Sequence, residues 1–229
     1  MSTASLRIGR RQQRHVAAIG AILLCVGGVA WLGYKLNTGA VFAIDTAVLL
    51  AIHNHTTAIL DAMIVHTTDL AGPTILVGVG LLIGALLLAR KRYTAGILTW
   101  AIMFGAGALV YGVKLFIERP RPSLWSDPLV HETGFSFVSG HATMSTALAL
   151  AVIVIAWRTR WRWLAIIGGI VYCLYIAFTR LYLGVHYPTD IVGGWMLAMA
   201  WTLCAVEGTA AIKHYIAQRR RSNLPSRKA

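Results

Sequence analysis

Three short segments of this chain carry side chains suited to moving a phosphoryl group. In "KLFIERPRP", Lys114 is followed after six residues by Arg121 and Pro122. "VSGH" supplies Ser139, Gly140 and His141, and "TRLYLGVHYPTD" supplies Thr179, Arg180, His186 and Asp190. A phosphate carries up to two negative charges and several acceptor oxygens. Arginine meets it with a planar fork of donors and lysine with a compact charge. Lys114, Arg121 and Arg180 therefore suit one phosphate group. Ser139, Gly140 and His141 stand just before a long apolar run, and a helix beginning there presents a glycine-flanked N-terminus to an anion. The Ser139 hydroxyl adds a donor.

Two imidazoles complete the set. His186 lies four residues before Asp190. If Asp190 occupies the first turn of a helix, its carboxylate reaches back to one ring nitrogen of His186 and leaves the other as a nucleophile. His141 then protonates the departing oxygen as general acid. Water resolves the phosphohistidine. Three cations already serve the phosphate, so no metal or other cofactor is called for.

The segments that must position these residues are apolar. Of 229 residues, 57% are hydrophobic and 13% charged, against about 25% charged in ordinary soluble domains. Apolar runs fall at about 16–34, 70–89, 94–117, 142–157, 163–182 and 190–212, each near the roughly 20 residues that span a bilayer. Short alternating strands of the kind a membrane barrel needs are absent. The expectation is an all-α, six-transmembrane-helix bundle. It divides into a basic N-terminus at 1–15, a membrane domain at 16–217 and a basic, disordered tail at 218–229. The first run is long and lacks a small-residue cleavage site before Trp31, which favours a retained span over a signal peptide.

The formal charge of +13 points at first to nucleic acid, but its distribution points to topology. Arg7, Arg10, Arg11 and Arg14 precede the first run. Arg90, Lys91 and Arg92 fill one turn, Arg158, Arg160 and Arg162 another, and Lys213, Arg219, Arg220, Arg221, Arg227 and Lys228 close the chain. All fall on one side of a six-span arrangement. The positive-inside rule makes that side cytoplasmic, with both termini there and anionic lipid as the partner of the charge. Most acids and histidines fall on the other side, which places the chemistry at the outer face of a plasma membrane.

The remaining polar residues receive plainer readings. Residues 36–69 are expected to form short helices near the outer interface. His53, His55, His66 and His131 fit no compact metal spacing and suit the lipid–water boundary or substrate entry. Glu207 falls about 25 Å along the last span from Asp190, near the inner interface. Arg119 is read either as a second phosphate contact or as a solvated side chain paired with Glu118. Gly80, Gly84, Gly193 and Gly194 suit close helix approach.

The ordered set Lys114, Arg121, Pro122, Ser139, Gly140, His141, Arg180, His186 and Asp190 strongly resembles the type 2 phosphatidic acid phosphatase family, the membrane lipid phosphate phosphatases. That family's pattern is Lys, six residues and Arg-Pro, then Pro-Ser-Gly-His, then Ser-Arg, five residues, His, three residues and Asp. Val138 stands in place of the proline and Thr179 in place of the serine. The resemblance implies hydrolysis of a terminal lipid phosphate or diphosphate. Undecaprenyl diphosphate is the favoured substrate, with phosphatidylglycerophosphate and phosphatidic acid as others. A phosphotransferase using the same site, or a transporter of phosphorylated lipids without catalysis, are the alternatives.

Overall fold

The computed structural model describes residues 3–68 and 72–222, and every regular element among them is helical. In chain order these are α1 (Thr3–Asn37), α2 (Ala43–His53), α3 (Ala58–Thr68), α4 (Pro73–Ala89), α5 (Tyr93–Ile117), α6 (Gly140–Ala156), α7 (Arg162–Tyr182) and α8 (Pro188–Ser222). Proline at the first position of α4 and of α8 fits helix starts, where its missing N–H costs nothing.

Four helices, α1, α5, α7 and α8, are long and apolar enough to cross a membrane. The sequence predicts six spans. The difference lies in α4 and α6, which are apolar but 17 residues each, or about 25 Å long. Within the stretch expected to form short helices, α2 and α3 do so. However, α2 and α3 meet at 119° and together are apolar enough for a broken span or re-entrant hairpin.

The core is built from small residues against large ones. Leu98, Ile102, Met103 and Ala106 of α5 pack on Leu76 of α4, Ala147 and Ala151 of α6, and Ala198 of α8. A Cβ on Gly84 would stand 2.1 Å from the Trp100 ring, so the bare glycine lets α4 and α5 close. The opposite faces carry exposed apolar side chains, among them Leu23, Leu24, Ile167, Ile170, Val171 and Leu174. Such a surface suits lipid rather than water.

Both ends are more helical than the sequence predicts. α1 begins at Thr3, within the basic N-terminus, and α8 runs to Ser222, so Arg219 and Arg220 lie on helix rather than in a disordered tail. Residues 223–229 of that tail lie outside the described residues. Glu207 is no isolated intramembrane acid, because its carboxylate meets His15 Nδ1 at 2.5 Å and ties α8 to α1.

Candidate active site

The site is assembled from three helix ends and the loop 118–139. α5 closes on Glu118, whose left-handed backbone (φ 48°) turns the chain sharply. Arg119 and Arg121 follow at once. The loop is tied across this turn by Ser136, whose N–H donates to Arg119 O at 2.8 Å and whose hydroxyl donates to Pro120 O at 3.0 Å. α6 then starts at Gly140. α7 ends in a turn at Gly184 (φ 64°), which delivers His186 to the same place. A side chain at Gly184 would also strike the Trp125 ring, 2.1 Å from where its Cβ would sit.

Asp190 is the hinge of the arrangement. It sits in the first turn of α8 and is fully buried. Its Oδ2 accepts from Tyr187 N–H at 2.8 Å, the reach-back of a capping carboxylate onto the residue before the helix. The same oxygen lies 3.5 Å from His186 Nδ1, longer than a normal hydrogen bond. Such contacts often stand long and tighten around substrate. Its backbone carbonyl accepts from Ser139 N–H at 3.1 Å, which locks α8 against the entry to α6. Close approach there needs Gly194, since a Cβ would fall 2.8 Å from Thr143 Oγ1 and 3.0 Å from Ser139 O.

The His186 ring is 1% exposed. Burial pushes its pKa from 6.5 down to about 3; Asp190 opposes that shift and Arg121 and Arg180 add to it. Nε2 stands 3.3 Å from Arg121 Nη1. A guanidinium has donors only, so this contact places the lone pair on Nε2 and the proton on Nδ1, toward Asp190.

A cavity of about 880 Å³ opens beside this ring. Lys114, Arg121, Gly140, His141 and His186 all line it, joined by Glu132 and by apolar Val77, Val110 and Met144. Both imidazoles therefore face one compartment. Lys114 Nζ donates to Phe135 O at the cavity wall. Arg121 is held by the carbonyls of Gly134 (3.1 Å), Val185 (2.9 Å) and Thr133 (3.2 Å). The spacing choice of Arg121 over Arg119 as the cavity arginine agrees with this placement.

Two expected phosphate contacts sit differently. Ser139 is buried; its N–H goes to Asp190 O and its hydroxyl accepts from Ala142 N–H as the cap of α6. Its place is that of a cap, and Gly140 and His141 are the α6 residues at the cavity. Arg180 is 1% exposed and stands behind the cavity wall, bonded to Thr68 Oγ1 at 2.7 Å and to Glu132.

Glu132 is a cavity residue that the sequence analysis did not assign. Its carboxylate bridges Arg180 and Arg121, the latter at 2.9 Å, so an internal anion lies between two arginines at the cavity. Arg119 is neither solvated nor paired with Glu118. It forks between Asp190 Oδ1 (2.5 Å) and Asp45 Oδ2 (2.7 Å) and lies 4.0 Å above the Tyr187 ring. Asp45, the one acid in the mainly apolar α2, was the available signal, because charged side chains are rarely buried unless paired.

Three of the other histidines have partners of their own or line the cavity. His53 stacks on Trp125 with ring centroids 4.2 Å apart, His55 Nδ1 meets Ala51 O at 2.8 Å, and His131 lines the cavity. Val138 packs with Leu32, Val110 and Leu197. Its apolar side chain anchors the loop through the core, where a proline would act through a fixed φ. Thr179 turns its hydroxyl to Ile176 O at 2.8 Å.

Comparison with known proteins gives the family. Residues 94–214 match the PAP2 superfamily. A phosphatidylglycerophosphatase B of Bacillus subtilis is 32% identical over 176 residues, covering 73% of this chain and 84% of its own. An undecaprenyl-diphosphatase of Sulfolobus acidocaldarius is 28% identical over 136 residues, covering 56% of this chain and 64% of its own. The crystal structure of a transmembrane PAP2-type phosphatidylglycerolphosphate phosphatase from Bacillus subtilis superposes with a TM-score of 0.70 at 24% identity, over 83% of this chain and 98% of that one. With a family match over more than half its length, a shared helical bundle and phosphatases as relatives, the chain belongs to the PAP2 superfamily and is an enzyme of its phosphatase kind.

Proposed function

We propose that this enzyme hydrolyses the terminal phosphate of a membrane lipid phosphate or diphosphate through a phosphohistidine on His186, at the outer face of the plasma membrane. The observation that carries the reading is the shared cavity: two imidazoles, Lys114 and Arg121 around one space of about 880 Å³.

The chemistry follows from the ring placements. His186 Nε2 bears the lone pair and attacks phosphorus. The P–O bond to the lipid breaks, and His141 gives its proton to the departing oxygen. Lys114 and Arg121 offset the charge on the equatorial oxygens, and α6's N-terminal amides at Gly140 and His141 add donors. Arg180 and Ser139 contribute from behind the wall. Arg180 does so once Glu132 yields, and Ser139 by fixing the start of α6. Asp190 stabilises the ring as positive charge develops on it. Water, deprotonated by His141, then attacks phosphorus. The P–N bond breaks, inorganic phosphate leaves, and both histidines return to their starting states.

The topology proposed is six spans with both termini cytoplasmic, α4 and α6 crossing as short apolar helices beside α1, α5, α7 and α8. The membrane domain runs over 16–217, between basic ends at 1–15 and 218–229. The basic turns at 90–92 and 158–162 lie at the bundle end opposite the α5–α6 and α7–α8 connections that carry the site. Undecaprenyl diphosphate is the favoured substrate, because an outward-facing site suits its recycling. A phosphatidylglycerophosphate reading is favoured by the Bacillus subtilis relative of that name.

Phosphate release from a panel of purified lipid phosphates and diphosphates, by wild type and His186→Ala, tests the proposal. Wild type releases free phosphate without an acceptor lipid, and His186→Ala is folded and inactive. Transfer that requires an acceptor would favour the phosphotransferase, and lipid translocation without turnover would favour the transporter.

A further inference from the structure

We infer that Asp45 and Arg119 act as a positioning pair, holding Asp190 and through it the His186 ring in the reacting orientation, so that the bent α2–α3 hairpin belongs to the catalytic machinery. This rests on the reading of His186 as the nucleophile.

Asp190 cannot set the ring by itself. A carboxylate on the first turn of a helix retains rotamer freedom, and a rotated Asp190 would leave Nδ1 without its acceptor. Each oxygen is instead assigned. Oδ2 takes Tyr187 N–H and faces His186. Oδ1 takes Arg119 Nη1 at 2.5 Å. Arg119 is fixed in turn by what lies around it. Nη1 also donates to Thr189 Oγ1 at 2.8 Å, Nη2 donates to Asp45 at 2.7 Å, and the Tyr187 ring lies 4.0 Å beneath. Asp45, 1% exposed, closes the network by accepting from Thr189 N–H at 2.9 Å and from its hydroxyl at 2.7 Å.

The charges make the same point. One guanidinium between two carboxylates leaves one net negative charge on the Asp190 side of His186. Arg121 and Arg180 stand on the ring's other side with Glu132 between them, and Lys114 and His141 line the same cavity. Without Asp45, Arg119 is neutralised by Asp190 alone and loses its lateral anchor. Without Arg119, Asp190 faces the imidazole with its charge no longer shared, and Asp45 is left buried without its cation.

The test uses full-length enzyme in detergent with a lipid-phosphate substrate. Asp45→Asn lowers kcat about 10–100-fold with KM within about twofold, because misplacement near 1 Å in a reacting group costs that order. Asp45→Glu recovers part of the loss. Arg119→Met moves the acid limb of the rate profile to higher pH, since uncompensated carboxylates favour a protonated His186, while Asp45→Asn does not. If Asp45→Asn does not accumulate folded, Thr189→Val reads the same network with its charges intact and lowers kcat about 3–10-fold. A wild-type kcat in Asp45→Asn, or in Thr189→Val where the former does not fold, overturns the pair. So does a loss confined to KM, or an acid limb unmoved by Arg119→Met. An inactive His186→Ala alongside any of these leaves the phosphatase reading standing, whereas turnover by His186→Ala overturns that reading itself.

Discussion

Acid should destabilise this protein through one buried ring. His186 is neutral when folded because burial brings its pKa from 6.5 to about 3. The unfolded chain takes up a proton below pH 6.5 and the folded one does not until near pH 3. The stability tied to this ring is thus complete above 6.5 and declines as pH falls, by about 1.4 kcal/mol per pH unit. Between pH 7 and pH 5 the loss is about 2 kcal/mol, a large share of the roughly 5–15 kcal/mol by which domains are stable. Other groups titrate in that window too, so the measurement is a difference. Thermal unfolding in detergent is followed at pH 7 and pH 5 for wild type and for His186→Gln, which keeps a neutral polar side chain there. The variant should lose less stability on acidification by about 2 kcal/mol, or roughly 4–8 °C in midpoint for a chain of this size. Equal losses in the two proteins would refute the buried neutral imidazole.

Other outcomes follow from named contacts. Glu132→Gln removes the internal anion that Arg121 holds at 2.9 Å. A partly exposed pair of this kind is worth about 1 kcal/mol, so inhibition by orthovanadate, a phosphoryl mimic, should tighten about fivefold, and weaker inhibition would contradict the bridge. Gly194→Ala drives a methyl to within 3.0 Å of Ser139 O at the α6 entry and should cost about 1–3 kcal/mol on unfolding, with activity falling too. Glu207→Gln breaks the contact with His15 at the far end of the bundle, where both side chains are about a third exposed. Turnover should stay at the wild-type value and stability within about 1 kcal/mol.

Much of this was legible in the sequence because its signals are local. Spacing placed His186 one helical turn before Asp190, and glycine beside His141 marked a helix start, so both imidazoles were assigned to one cavity. The all-helical class followed from long apolar runs in which the backbone must satisfy itself. What escaped was tertiary. Spacing from Lys114 selected Arg121, but nothing local tells where Arg119 goes; its partner Asp45 lies 74 residues away. Glu132 was hidden in a proline- and glycine-rich loop whose course depends on contacts from Arg121 and Arg180. The sequence shows a serine ahead of a helix, but not that its N–H is taken by Asp190 O, 51 residues away, while its hydroxyl accepts from Ala142 N–H. Helix ends were also underestimated, since basic residues at 219–220 continue α8 without the apolar pattern that marks a span.

The central claim is that His186 Nε2 carries the phosphoryl group during turnover. Brief reaction of the His141→Ala variant with a terminally labelled lipid diphosphate, whose phosphate leaving group departs without a proton from His141, addresses it directly when quenched at high pH, where phosphoramidates survive, and mapped by peptide mass spectrometry. The account predicts phosphate on His186, lost in a His141→Ala/His186→Ala double variant. Label on another residue, or rapid phosphate release with no covalent adduct, would contradict it.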